Sequence, residues 1–221
     1  MKTGDRPQAH EPGPVPSIDW YFDFVSPYSY LQCERLAKFP ARINPQPLVF
    51  AGLLKHWGHK GPAEMPSKRT FIYRQVQWLA ARDGVAMRFP PRHPFNPIRA
   101  LRLAIAMGSS YEAVRMIFRH IWRDGDAVDV EDGFARLCGK LGAGDAEALI
   151  STPVVKQALI DNGQRAIEHG VFGVPTLRID GELFWGYDAT DMALDYLGNP
   201  ERFLSEEMKR VDALPVGVTR T

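Results

Sequence analysis

Two short segments carry residue types suited to chemistry on a sulfur anion. Ser26-Pro27-Tyr28-Ser29 closes the apolar run Ile18 to Val25, so two hydroxyls stand three residues apart where a strand hands over to a helix. Backbone N–H groups and the positive end of a helix dipole face any anion held at such a junction, and a hydroxyl adds a charge-assisted hydrogen bond. A free thiol ionises near pH ~8.5, and each unit of depression, about 1.4 kcal/mol, raises the thiolate fraction severalfold at neutral pH. The segment has hydroxyls and no thiol, so the sulfur would come with a ligand. The plainer reading is that Ser26 only caps the helix, with Ser29 a second capping candidate. The other segment is Gly170-Val171-Phe172-Gly173-Val174-Pro175-Thr176. It is an apolar loop whose Val174-Pro175 bond is a candidate for the cis form and whose free backbone groups would lie beside the first site.

Other side chains point elsewhere. His56 and His59 lie three apart, but Gly58 breaks the helix between them and no third ligand stands near, so no metal is expected. His93 precedes a proline in a loop and reads first as a surface hydrogen-bonding residue, with general-base work as the alternative. The two cysteines, Cys33 and Cys138, are far apart and sit among apolar neighbours. They read as core residues in a reducing compartment, with no disulfide framework.

The elements that must position these residues follow from the pattern. Ile18 to Val25 reads as a buried strand and Tyr28 to Phe39 as a helix opened by Pro27 and stopped by Pro40; Ile43 to Phe50 reads as an edge strand marked by Pro45 and Pro47. Ala51 to Pro66 reads as a loop with at most one helical turn at Leu53 to Trp57. Ser67 is the expected cap of a helix running to Gly84, and the proline-rich run Phe89 to Pro97 is an ordered or functional loop. Helices are predicted over Ile98 to Met107, Tyr111 to Trp122, Val130 to Leu141 and Pro153 to Glu168, with Asp129 and Thr152 as caps. Thr176 to Ile179 and Glu182 to Trp185 form a hairpin about Asp180-Gly181. Asp188 then caps a helix through Leu197, and another runs from Glu201 to Val211.

The chain has 221 residues, 45% hydrophobic, enough for a sizeable core. Its 27 basic and 26 acidic side chains leave a net charge of +1, which provides no field for nucleic acid or an anionic membrane. No stretch approaches the roughly 18 apolar residues of a membrane span, and the expected location is the cytoplasm. Residues 1–14 read as a mobile leader, 15–212 as a single domain with a helical insertion at about 52–168, and 213–221 as a tail.

The string Phe22-Asp23-Phe24-Val25-Ser26-Pro27-Tyr28-Ser29-Tyr30-Leu31, joined with Phe172-Gly173-Val174-Pro175-Thr176 and Phe184-Trp185-Gly186-Tyr187-Asp188, resembles the 2-hydroxychromene-2-carboxylate isomerases. These are relatives of kappa-class glutathione transferases and, more distantly, of DsbA-like disulfide oxidoreductases. Ser26 and Ser29 stand where a redox relative would carry Cys-x-x-Cys. The resemblance covers about Ile18 to Leu197. It implies an α/β, thioredoxin-like fold with a helical insertion subdomain, a homodimer, glutathione as cofactor and a small aromatic substrate.

By that resemblance Ser26 donates a hydrogen bond to the glutathione sulfur, and Val174, before Pro175, pairs its backbone with the cysteinyl part as an added strand would. Asp188 holds the γ-glutamyl ammonium, while Lys68 and Asn96 line the cleft and meet carboxylates. Arg92 is a further polar candidate, and Trp57, Phe95 and Trp185 are candidate walls or core. Two positions depart from the family pattern. Ala189 follows Asp188 where many members have arginine, and Gln75 stands where many have aspartate. The implied reaction is reversible thiolate addition and elimination on a chromene carboxylate. Alternatives are a kappa-like transferase that conjugates an electrophile, or a non-catalytic module binding an extended peptide.

Overall fold

A computed structural model describes residues 15–218; the expected leader and the last three residues of the tail lie outside the described residues. Residues 213–218 are exposed and belong to no helix or strand. The first strand, β1 (Ser17–Phe22), alternates between two apolar surfaces. Ile18, Trp20 and Phe22 enter the larger core, and Tyr21 enters a smaller one with Leu48, Leu53, Ala166, Val171 and Val174. Burial on both faces requires a central strand, and β1 is central. It pairs in parallel with β2 (Arg42–Pro47) and antiparallel with β3 (Thr176–Ile179), and β4 (Glu182–Trp185) completes the order β2-β1-β3-β4. Pro45 and Pro47 therefore lie on an edge strand, as their missing N–H groups predict. The β3–β4 turn holds Asp180 and Gly181 at φ 51° and 99°, the double positive φ of a two-residue hairpin loop.

β1 stops at Phe22, three residues short of the predicted end. Asp23 leaves the ladder because its carboxylate turns back to accept from the Val25 amide at 3.0 Å and the Phe50 amide at 2.8 Å. The chain then enters α1 (Pro27–Leu36). Eight-residue α2 (Phe50–Trp57) takes the first part of the expected loop, beginning three residues before the expected helical turn and ending at Gly58 with φ 67°. No side chain of its own caps it; Asp23, distant in sequence, supplies the missing acceptor.

Further helices connect the two halves of the sheet: α3 (Pro66–Arg82), α4 (Ile98–Ala106), α5 (Tyr111–Trp122), α6 (Glu131–Leu141), α7 (Ala146–Ser151) and α8 (Pro153–Glu168). After the sheet come α9 (Thr190–Gly198) and α10 (Glu206–Asp212), with a 3-10 turn at Pro200–Leu204 between them. The predicted helix from Glu201 is thus cut in two, because Ser205 caps a fresh start at Glu206. Four other expected caps behave differently. Thr152 caps α8, accepting from the Val155 amide. Ser67 does not cap α3, which starts one residue earlier on Pro66, and Asp129 does not cap α6 because it is turned to Arg92. Asp188 precedes α9 by two residues and makes no cap bond. The unpredicted α7 is capped by Asp145.

One apolar core joins sheet and helices. Trp20 stacks on Phe22, Phe24 meets Phe22 edge to face and Phe118 packs tilted against Phe24, and the buried Trp122 indole donates to the Phe24 carbonyl at 2.8 Å. Cys33 and Cys138 are both buried, as expected for core residues. Burial pushes the Cys33 thiol well above its ordinary range, with Glu34 adding to the shift. Among the described residues no helix is long and apolar enough to cross a membrane.

Candidate active site

At the end of β1 the chain makes a tight turn in which the Ser26 amide donates to the Asp23 carbonyl at 3.0 Å. Ser26 sits at the N-cap of α1, its Oγ accepting from the Ser29 amide at 3.2 Å. That bond uses a lone pair of the hydroxyl and leaves its proton free to donate. Capping and donation are therefore compatible in one side chain. Ser29 is not a cap: its own hydroxyl is buried without a partner among the described residues.

Ser26 is 6% exposed and lines a cavity of about 1100 Å³. Across it stands the loop carrying Val174-Pro175, whose peptide bond is cis. Neither the amide nor the carbonyl of Val174 has a partner among the described residues. The Pro175 carbonyl, by contrast, accepts from the Gly186 amide at 2.8 Å, which ties this loop to the turn bearing Asp188. That turn is also held by Gln32 of α1, whose Nε2 donates to the Gly186 carbonyl at 3.1 Å and to Thr190 at 3.0 Å while its Oε1 accepts from the Trp20 indole.

Of the six residues expected at the site, five border the cavity. Ser26, Val174 and Pro175 are buried in its wall, and Lys68 and Asp188 are exposed along it. Asn96 is the correction. It is exposed, stands outside the wall between Phe95 and Pro97, and accepts from the Ile98 amide at 3.0 Å at the start of α4. Such a local bond is what asparagine commonly makes beside a helix start. Arg92 and Trp57 are likewise outside. The first pairs with Asp129 at 3.2 Å, and the second donates to the Val171 carbonyl at 3.0 Å. Phe95 and Trp185 do form walls. Trp185 lies against Gly173, where an added Cβ would meet the indole nitrogen and force the ring to move.

Asp23 and Tyr73 line the cavity with no role expected of them from the sequence, and His93, weighed as a general base, lines it too. Asp23 is fully buried in the wall, and loss of hydration pushes its carboxyl up to about 7 despite the backbone donors that oppose the shift. It is one of two acids in an otherwise apolar run and stands three residues before Ser26, and that placement was the available signal. Tyr73 and His93 also border the cavity, with the Tyr73 hydroxyl 2.6 Å from His93 Nδ1. The expected surface role for His93 is corrected: its Nε2 lies 2.8 Å from the Val25 carbonyl, inside the fold. Among the described residues no three His, Cys, Asp or Glu side chains are grouped to hold a metal ion.

The family model of the DSBA-like thioredoxin domain matches residues 17–198. The chain is similar to the 2-hydroxychromene-2-carboxylate isomerase of Pseudomonas sp. (strain C18), 30% identical over 190 residues, covering 82% of this chain and 90% of the relative. It is also similar to rat glutathione S-transferase kappa 1, 27% identical over 84% of this chain and 93% of that one. Among solved structures, a 2-hydroxychromene-2-carboxylate isomerase superposes with a TM-score of 0.74 at 26% identity, over 90% of this chain and all of the other. The chain belongs to the 2-hydroxychromene-2-carboxylate isomerase family. Its fold is the DsbA-like thioredoxin fold, as expected from the sequence.

Within this isomerase family the two departures acquire local explanations. Gln75 accepts from the Tyr28 hydroxyl at 2.6 Å, holding the ring of the Ser-Pro-Tyr-Ser junction against α3. Burial, with the nearby Asp188 charge second, raises the pKa of that phenol. Ala189 provides no cation after Asp188, but Arg35 lines the same end of the cavity and pairs with Asp191.

Proposed function

We propose that the protein is a cytoplasmic, glutathione-dependent isomerase of the 2-hydroxychromene-2-carboxylate type, acting on a small aromatic substrate in aromatic-compound degradation. One observation carries the reading. A capping hydroxyl with an uncommitted proton, Ser26, borders the same cavity as an unpaired peptide unit, Val174. That combination fits glutathione: Ser26 and the N-terminus of α1 meet a thiolate, and Val174 pairs with a peptide backbone as an added strand. Asp188 meets the ammonium and Lys68 a carboxylate. When bound, glutathione would supply a nucleophilic sulfur for reversible addition to, and elimination from, the conjugated carbon of the substrate.

The chain's own residues do the rest. Ser26 keeps the sulfur anionic, and Phe95 and Trp185 give the ring dry walls. Cys33 is no substitute nucleophile, because it is buried away from the cavity wall. A homodimer is part of the proposal, supported by Phe71 and Trp78 of α3, large rings that are 62% and 60% exposed. A chromene carboxylate assayed with sub-stoichiometric glutathione tests the activity: isomerisation with free thiol constant is expected. Thiol consumed in step with substrate would make the protein a kappa-like transferase. Absence of glutathione binding by calorimetry would leave a peptide-binding module.

A further inference from the structure

The cavity wall contains a hydrogen-bonded pair whose geometry suits the movement of a proton. His93 Nε2 lies 2.8 Å from the Val25 carbonyl, which can only accept, so Nε2 carries hydrogen. In the neutral imidazole Nδ1 is then an acceptor, and the Tyr73 hydroxyl, 2.6 Å away, donates to it. The same hydroxyl lies 2.9 Å from the His93 carbonyl. If His93 gains a proton on Nδ1, that N–H donates to Tyr73 Oη and the phenolic hydrogen swings to the carbonyl. The Oη–Nδ1 and Nε2–carbonyl bonds persist in both protonation states, and the phenolic hydrogen has an acceptor in each.

We propose that Tyr73, backed by His93, is the acid-base couple of the reaction, Tyr73 touching substrate and His93 acting through it as a positioning and proton-storing residue. The assignment rests on the isomerase reading above. Opening a 2-hydroxychromene-2-carboxylate to its keto acid moves one proton from the hydroxyl on the carboxylate-bearing carbon to the ring oxygen. The O–H electron pair becomes the carbonyl π bond. The ring C–O bond breaks with its pair on oxygen, and that oxygen ends as a phenol. Tyr73 Oη takes the departing proton while its own passes to Nδ1, and the reverse transfer protonates the ring oxygen. No net proton or electron is gained.

Position supports the assignment. Tyr73, His93, Val25 and Ser26 all border the one cavity, and the carbonyl that anchors the imidazole belongs to the residue before Ser26. Tyr73 and Arg69 of α3 are the titratable and charged groups acting on His93; its other ring neighbours, Phe89, Phe95 and Trp122, are uncharged. Burial first, then Arg69, holds the imidazole below its ordinary range against the Val25 bond, so the proton-accepting form prevails at neutral pH.

Nitrogen NMR of the histidines and Tyr73→Phe together test the couple. In ligand-free protein His93 is expected as the Nε2–H tautomer, with the Nδ1 resonance shifted in Tyr73→Phe, where that acceptor loses its donor. The variant keeps the ring that packs on Phe89. It is expected to bind glutathione as the wild type does in calorimetry and to lose about a hundred- to ten-thousandfold in kcat. The wild-type rate should fall on the acid side as His93 protonates, and the variant should lack that limb. An Nδ1–H tautomer, or turnover in Tyr73→Phe within about threefold of wild type, overturns the couple and leaves the isomerase reading standing. Wild-type protein that turns over no chromene carboxylate overturns the isomerase reading, and the couple's assignment falls with it.

Discussion

Replacing Ser26 by alanine removes two functions of one oxygen, and they are separable by assay. The acceptor side of Ser26 Oγ satisfies the Ser29 amide at 3.2 Å, an N-cap contribution of about 1 kcal/mol. The donor side is free for a sulfur anion, and a hydrogen bond to a charged group is worth roughly 1.5–3 kcal/mol. At about 1.4 kcal/mol per unit, its loss raises the pKa of bound glutathione by about one to two units and lowers the rate about ten- to a hundredfold near neutral pH. Ultraviolet absorbance of the thiolate, titrated in the binary complex, reads the first quantity, and denaturant unfolding reads the cap. Ser26→Thr retains acceptor and proton and is expected to recover most of both. If Ser26→Ala binds glutathione with an unshifted thiol and full turnover while losing only the capping energy, the serine is a cap and nothing more.

The remaining expectations concern groups that line or miss the cavity. Asp23 has its carboxyl raised from 3.8 to about 7 by burial, so between those pH values the unfolded chain releases a proton that the folded chain keeps. Folding stability therefore falls as pH rises from about 4 to about 7, and urea titrations of Asp23→Asn should show a flatter slope across that window. Gly173→Ala should displace Trp185, which is 53% exposed and free to move. Weaker ligand binding and an altered tryptophan emission are expected, with little change in Tm. Asp188 is exposed, and exposed ion pairs contribute up to about 1 kcal/mol, so Asp188→Asn should weaken glutathione binding in calorimetry by about fivefold. Asn96→Ala should leave that affinity unchanged and cost about 1 kcal/mol of stability through the lost bond to Ile98.

Local physics was readable along the chain. The apolar run of β1, the double positive φ at Asp180-Gly181 and the prolines of an edge strand each depend on neighbours within a few residues. The junction at Ser26 and the loop at Pro175 were legible for the same reason, since their residue types restrict the backbone directly. Boundaries were less so: α2 starts three residues before the helical turn expected at Leu53, because its capping acceptor is Asp23, which approaches Phe50 only after β1 and β2 have paired.

Membership of the cavity was a tertiary decision throughout. Asn96 and Trp57 have suitable chemistry but make their bonds elsewhere, to Ile98 and Val171. Tyr73 and His93 meet across a helix and a proline-rich loop, a pairing no periodicity encodes. A sequence determines which conformations each short segment prefers and which side chains carry chemistry. Distance between segments is settled only when their apolar faces are buried together, and that packing decided which of the available groups share one wall.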